Sequence, residues 1–212
     1  MSRLAFSLLL ALAPSGASAA SIEILARDPT GKPVADAAVY AVPASGGSET
    51  RSARAAIEQV DREFIPYVSV IQQGTSVAFP NRDPILHHVY SFSPAKAFEI
   101  KLYTGKSPSE IQFDKPGVVT LGCNIHDWMI AYIAVVPTPH FARTDASGTA
   151  RLRDLPAGSY EVRAWHPQQR VSLVPHLLAL DAAANAQAAF TFVFDVVPRK
   201  AKFKPPLDRL RY

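Results

Sequence analysis

Cys123 is the only cysteine in the chain, and Met129 is its only methionine apart from Met1. His126 stands midway between them, giving C-x2-H-x2-M inside Leu121 to Met129 (LGCNIHDWM). Upstream, His87 and His88 follow Asn81 to Leu86 (NRDPIL). One thiolate, one thioether and imidazoles from two places in the chain form the donor set of a type 1, or blue, copper site. In that set two His and one Cys lie around the ion and Met is a long axial ligand. The residue types suit one-electron chemistry. Soft sulfur stabilises Cu(I), imidazole accepts both oxidation states, and no ligand has to leave when the charge changes. Zinc could use Cys123 and the histidines, but a thioether serves zinc poorly, so Met129 points to one copper ion. A lone CxxH is common, and a single Met is more often a filler of core gaps. Here both sulfur residues beyond Met1 fall at ligand spacing around a histidine, with a double histidine upstream.

Ligands that far apart need a stiff frame, and the sequence reads as β throughout. Val118 to Cys123 and Ile130 to Val136 are nearly continuous apolar runs, as expected of central strands, and the candidate C-x2-H-x2-M loop joins them. Ile22, Ile24 and Ala26 alternate with Glu23 and Leu25 before a turn at Asp28 to Lys32. Val34 to Val42 follows as a second strand. Tyr67 to Ile71 and Thr75 to Phe79 flank Gln72-Gln73-Gly74 and predict a hairpin. Phe98, Ile100 and Leu102 alternate with Glu99, Lys101 and Tyr103 and predict a half-buried strand with the first set inward. Turns at Thr144 to Gly148 and Leu155 to Gly158 separate further strands, including Tyr160 to Trp165. Phe190, Phe192, Phe194 and Val196 form one face of a last strand. With no long helical periodicity and no internal repeat, the fold class expected is all-β, with two layers and two cores.

Composition agrees and removes other classes. The chain has 212 residues, 48% of them hydrophobic and 19% charged. It carries 18 prolines, against about 11 at the usual ~5%, which suits short strands joined by punctuated loops. Wholesale disorder is excluded by the apolar share, and a disulfide-stapled fold by the single Cys. A net charge of +4 with no long basic stripe gives no case for nucleic acid. Arg3, the apolar run Leu4 to Ala13 and the small-x-small site Ala17-Ser18-Ala19 follow the order of a secretory leader, so residues 1–19 are read as a signal peptide. Beyond it no segment is long and apolar enough for a transmembrane helix, and the expected location is the periplasm. The end of the chain, Arg199 to Tyr212, is a basic tail with one acid, Asp208.

The stretch from Ala55 to Pro137 resembles the cupredoxins, in particular the amicyanin and plastocyanin-like branch. The resemblance rests on Asn81-Arg82-Asp83 before His87, on His88-Val89, on Lys115-Pro116-Gly117 leading to Cys123, and on the short C-x2-H-x2-M loop. It implies a Greek-key sandwich or barrel over residues 55–137 and His87, Cys123, His126 and Met129 as copper ligands. His88 stands where the family commonly has an Asn that hydrogen-bonds around the Cys loop. It is therefore either a neighbour of the ligands, like Asn81, or the ligand in place of His87, since only one of the pair can face the metal. The flanks, Ile24 to Val42 and Thr144 to Trp165 (TDASGTARLRDLPAGSYEVRAW), resemble the carboxypeptidase regulatory-like, transthyretin-like sandwich. That implies a second, discontinuous domain over 20–45 and 138–198 with the copper domain inserted into it. The arrangement resembles bacterial methylamine utilization proteins.

The function expected is single-electron transfer between protein redox partners, a quinoprotein dehydrogenase or a cytochrome, with His126 as the surface ligand and Trp128 as part of a docking rim. The alternative is a copper carrier or sensor without a redox role. An enzyme is disfavoured. A trinuclear copper oxidase needs a His-Cys-His relay, and Cys123 is flanked by Gly122 and Asn124. His140, His166 and His176 adjoin prolines in loop-like contexts and read as structural or surface residues.

Overall fold

The computed structural model describes residues 20–46, 52–181 and 187–197. The predicted leader, the basic tail from Arg199 and positions 47–51 of the polar stretch after Pro43 lie outside the described residues. Every regular element among the described residues is a strand. They are β1 (Ala20–Arg27), β2 (Ala38–Pro43), β3 (Arg54–Ala56), β4 (Glu58–Val60), β5 (Glu63–Ile65), β6 (Val68–Gln72), β7 (Thr75–Ala78), β8 (His87–Ser93) and β9 (Lys96–Tyr103). There follow β10 (Ile111–Phe113), β11 (Gly117–Gly122), β12 (Ile130–Val136), β13 (Phe141–Arg143), β14 (Thr149–Leu155), β15 (Gly158–Trp165), β16 (His176–Leu180) and β17 (Gln187–Val193). The all-β reading is correct.

Two hydrophobic cores form. One gathers Ile22, Ile24, Val39, Leu152, Tyr160, Val162, Phe192 and Phe194, from both ends of the described chain. It lies between the sheets β14-β1-β17 and β13-β2-β15-β16. The other gathers Ile57, Phe64, Phe79, Val89, Phe113, Val119, Leu121 and Ile133 from the stretch between, and includes Cys123 and Met129. Its principal sheet runs β6-β12-β11-β8-β9, faced by β10-β7-β3. As expected, β11 and β12 are its central pair, in register from Gly117 opposite Val135 to Gly122 opposite Ile130. Val119, Leu121, Ala131 and Ile133 are all fully buried. Burial of a large aliphatic side chain contributes about 1.5–3 kcal/mol, and a one-residue slip would turn the whole set outward. That penalty fixes the register of the strands that frame the Cys123 loop.

Two local expectations fail. The segments around Gln72-Gln73-Gly74 are not a hairpin: β6 pairs with β12, whereas β7 pairs with β10 and β3. The Gly74 turn carries the chain from one layer to the other, its N–H donating to Phe113 O at 2.7 Å. Ile71 and Val77 thereby face one core from opposite sheets. In β9 Ile100 is buried as expected, but the next inward residue is Tyr103, while Leu102 is 51% exposed. The register to β8 shifts between His87–Tyr103 and Val89–Ile100, so β9 spends an extra residue there and a bulge reverses its alternation.

The cores meet where Tyr132 of β12 packs edge-on against Trp165 of β15, ring centroids 5.8 Å apart. Gln168 donates to the Tyr67 hydroxyl beside them. The predicted turns at 28–32 and 144–148 repeat one design. In each, the Asp carboxylate (Asp28, Asp145) accepts from the backbone N–H groups two and four residues on.

Candidate metal centre

His87, Cys123 and His126 come together. One donor atom from each lies within 4.8 Å of the others, and all three residues are buried. His87 opens β8, Cys123 follows directly on β11, and His126 sits in the tight loop before β12. That loop is closed by Met129 N–H donating to His126 O at 2.8 Å. The Nδ1 atoms of His87 and His126 are 3.1 Å apart. Cys123 Sγ lies 4.0 Å from His87 Nδ1 and 3.7 Å from His126 Nδ1. Metal–nitrogen bonds of about 2.0–2.1 Å and a metal–sulfur bond of about 2.3 Å, in trigonal array, separate N from S by roughly 3.8 Å. The donor set therefore fits one soft or borderline cation held between the three atoms.

The other imidazole nitrogen of His87 is committed. Its Nε2 is 2.7 Å from Asp83 Oδ2, so the N–H sits there and the Nδ1 lone pair faces Cys123 and His126. Burial pushes the Asp83 carboxyl up, but hydrogen bonds from His87 and from the backbone N–H groups of Arg62 and Asp61 outweigh it, and the net shift is downward. A carboxylate is thus held ionised beside the ring. Asn81 builds the loop that delivers it. The Asn81 amide donates to Ile85 O and Tyr103 O, both at 2.8 Å, while its oxygen accepts from Asp83 N–H.

His126 is covered by Trp128, ring centroids 5.2 Å apart, and Trp128 Nε1 donates to Arg62 O at 3.2 Å. Burial pushes the His126 imidazole pKa down, assisted by His87 and Arg62, which favours the neutral, ligand-competent ring. Only 4% of His126 is exposed, so the surface position expected of it is not what the structure has. Exposed apolar side chains nearby in sequence are Leu86, next to His87, and Ile125, next to His126.

His88 points away from the cluster. Its Nε2 is 3.0 Å from Glu99 Oε1 without forming a hydrogen bond, and its ring tilts against Tyr90. Met129 is fully buried in the same core as Cys123. Tyr103 underlies the site, donating to Phe79 O and accepting from Gln59 Nε2 at 2.6 Å. Burial pushes its phenol up to about 12, the Gln59 contact lowering it and Cys123 raising it further. Among the other histidines, His166 is buried and its Nδ1 accepts from Gln168 N–H. His176 stacks on Phe190 and His140 lies edge-on to Tyr160.

Sequence reasoning quoted Asp83 only as part of a motif and missed its bond to His87. The four-residue spacing was visible, but a loop has no period from which to infer contact. It missed the strap at Arg62 altogether, because that backbone carbonyl has no sequence signature.

No protein-family model matches the chain, and no curated protein matches it. Solved structures do. A purple cupredoxin from Nitrosopumilus maritimus is 22% identical, covering 39% of this chain and 99% of that one, with a TM-score of 0.35. An oxidised mutant of amicyanin is 14% identical over 48% of this chain and 99% of that one, TM-score 0.36. A copper-containing nitrite reductase from Thermus scotoductus is 24% identical, over 53% of this chain but only 28% of that one, TM-score 0.37. No described helix is long and apolar enough to cross a membrane. The chain is an all-β protein similar in part to copper proteins, with a buried His-Cys-His cluster.

Proposed function

We propose that this chain is an exported type 1 copper protein that passes single electrons between protein partners. The observation that carries the reading is the buried cluster of His87, Cys123 and His126, with donor atoms within 4.8 Å of one another. His87 and His126 would hold copper through Nδ1, Cys123 through its thiolate and Met129 through its thioether. Bound there, copper would supply a one-electron couple. The rest is done by this chain. β8, β11 and β12 hold the donors at one spacing for both charge states, Asp83 fixes the His87 ring, and Trp128 and the core keep water out. A rigid, dry donor set keeps the reorganisation of electron transfer small.

The reading extends to the whole chain. Residues 55–137 form the copper domain, inserted into a transthyretin-like sandwich of 20–45 and 138–198. The leader sends the protein to the periplasm, where a quinoprotein dehydrogenase or a cytochrome of methylamine utilization is the partner class. It is not an enzyme. The test is metal analysis and a visible spectrum of the purified protein. One copper per chain is expected, with an intense thiolate-to-copper band that bleaches reversibly on reduction and is absent in Cys123→Ser. Rapid copper exchange without colour would replace electron transfer by a carrier role.

A further inference from the structure

The outer face of the β6-β12-β11-β8-β9 sheet is only half covered. Toward β12 it meets the other sheet pair through Tyr132 on Trp165. Toward β8 it bears an aromatic file, His88, Tyr90 and Phe92, at every second position of the strand. Ring centroids along it are 5.6 Å and 5.1 Å apart, and Phe92 at its end is 86% exposed. Hollows of about 390 Å³ and 500 Å³ flank the ridge formed by Tyr90 and Phe92. The lining of the first includes Gly122, Cys123 and Met129.

Tyr90 packs on the residue next to Cys123. It is the register partner of Gly122, and a Cβ on Gly122 would fall 2.8 Å from its ring. The phenol thus occupies the space a side chain beside Cys123 would take, and it lies one peptide from the sulfur ligand. The charged side chains lining the two hollows are Asp127 and Glu99, both carboxylates. An apolar ridge between carboxylates matches a partner with an apolar centre ringed by Lys and Arg.

We infer that Tyr90, Phe92 and their two hollows form the docking face for a basic-rimmed redox protein, which meets the centre through Tyr90 on Gly122 and not over His126. This inference rests on the electron-transfer reading. The step is one-electron: the cuprous site is oxidised to cupric, a ferric haem is reduced to ferrous, and no bond or proton moves.

The probe is horse-heart cytochrome c, a small lysine-rimmed haem protein, mixed in stopped flow with the reduced copper-loaded chain. Phe92→Ala is expected to lower the second-order rate at least tenfold. Glu99→Lys/Asp127→Lys is expected to do the same and to abolish the fall of the rate with added salt. Leu86→Ala/Ile125→Ala should stay within twofold of the wild type, and colour and potential should persist in all. The opposite ranking overturns the proposal. A titration of the metal-free, 15N-labelled chain with the same cytochrome reads docking without copper. Shifts confined to 90–93, 97–99 and 122–127 support the face. Shifts centred on 62–65, 84–86 and 128, or none, overturn it. Loss of colour in the wild type would sink the electron-transfer reading alone and leave this titration decisive for the face.

Discussion

Asp83 Oδ2 stands 2.7 Å from His87 Nε2, and this single contact decides which nitrogen of the ring looks at Cys123. The same carboxylate accepts from the backbone N–H groups of Asp61 and Arg62, and Arg62 O receives the Trp128 indole. One acid therefore ties the turn after β4 to both imidazoles. Asp83→Asn is expected to weaken copper binding ten- to a hundredfold, the usual effect of losing a partner behind a ligating His. A competition titration against a chelator of known affinity measures it. An unchanged affinity would mean that His87 is oriented by packing alone.

The two adjacent histidines separate cleanly. His87→Ala removes a donor from the cluster and should abolish the visible thiolate band. His88→Ala removes only the approach to Glu99 and the contact with Tyr90, and should leave that band in place. Visible spectra of both copper-loaded variants decide the matter, and the reverse outcome would exchange the ligand assignment.

Gly122→Ala is expected to destabilise the fold by about 1–3 kcal/mol, the range for overpacking a filled site. Its new Cβ would meet the Tyr90 ring at 2.8 Å. In Tyr90→Ala the same substitution should cost much less. Denaturant melts of the four proteins close a double-mutant cycle, and additive effects would show that Tyr90 does not press on Gly122.

His166 is expected to give the protein a pH dependence remote from the His-Cys-His cluster. Burial pushes its pKa down, with the backbone near Ala35 and the charge of Asp36 pulling the other way. The unfolded chain therefore takes up the proton first as pH falls, and stability declines from the ordinary imidazole value of about 6.5 down to the folded value. His166→Gln in the metal-free chain should flatten that decline by up to about 1.4 kcal/mol per pH unit. Denaturation midpoints between neutral and mildly acid pH give the slope. An unaltered slope would assign the dependence to other groups.

The donor types and much of the β architecture were legible in the amino-acid order because they are local properties. Apolar continuity marked β11 and β12 as central strands, alternation marked β1 and β15, and turns with an Asp and a Gly marked the reversals at 28–32 and 144–148. C-x2-H-x2-M marked Cys123 and His126 as candidate donors from residue types alone. The hairpin at Gln72-Gln73-Gly74 was misread because periodicity cannot say whether two adjacent strands share a sheet or face each other across a core. The Leu102 and Tyr103 faces were exchanged because a bulge is a property of the pairing of two strands.

What folding alone decided is convergence and access. Chain order holds Cys123 and His126 three residues apart, but His87 reaches them only because β8 and β11 are neighbours in one sheet. The choice of His87 over His88, the carboxylate behind it and the burial of His126 under Trp128 are long-range contacts with no signature of their own. A sequence specifies which side chains can bind, whereas sheet register and layer packing specify which of them share one space and which side of that space meets solvent.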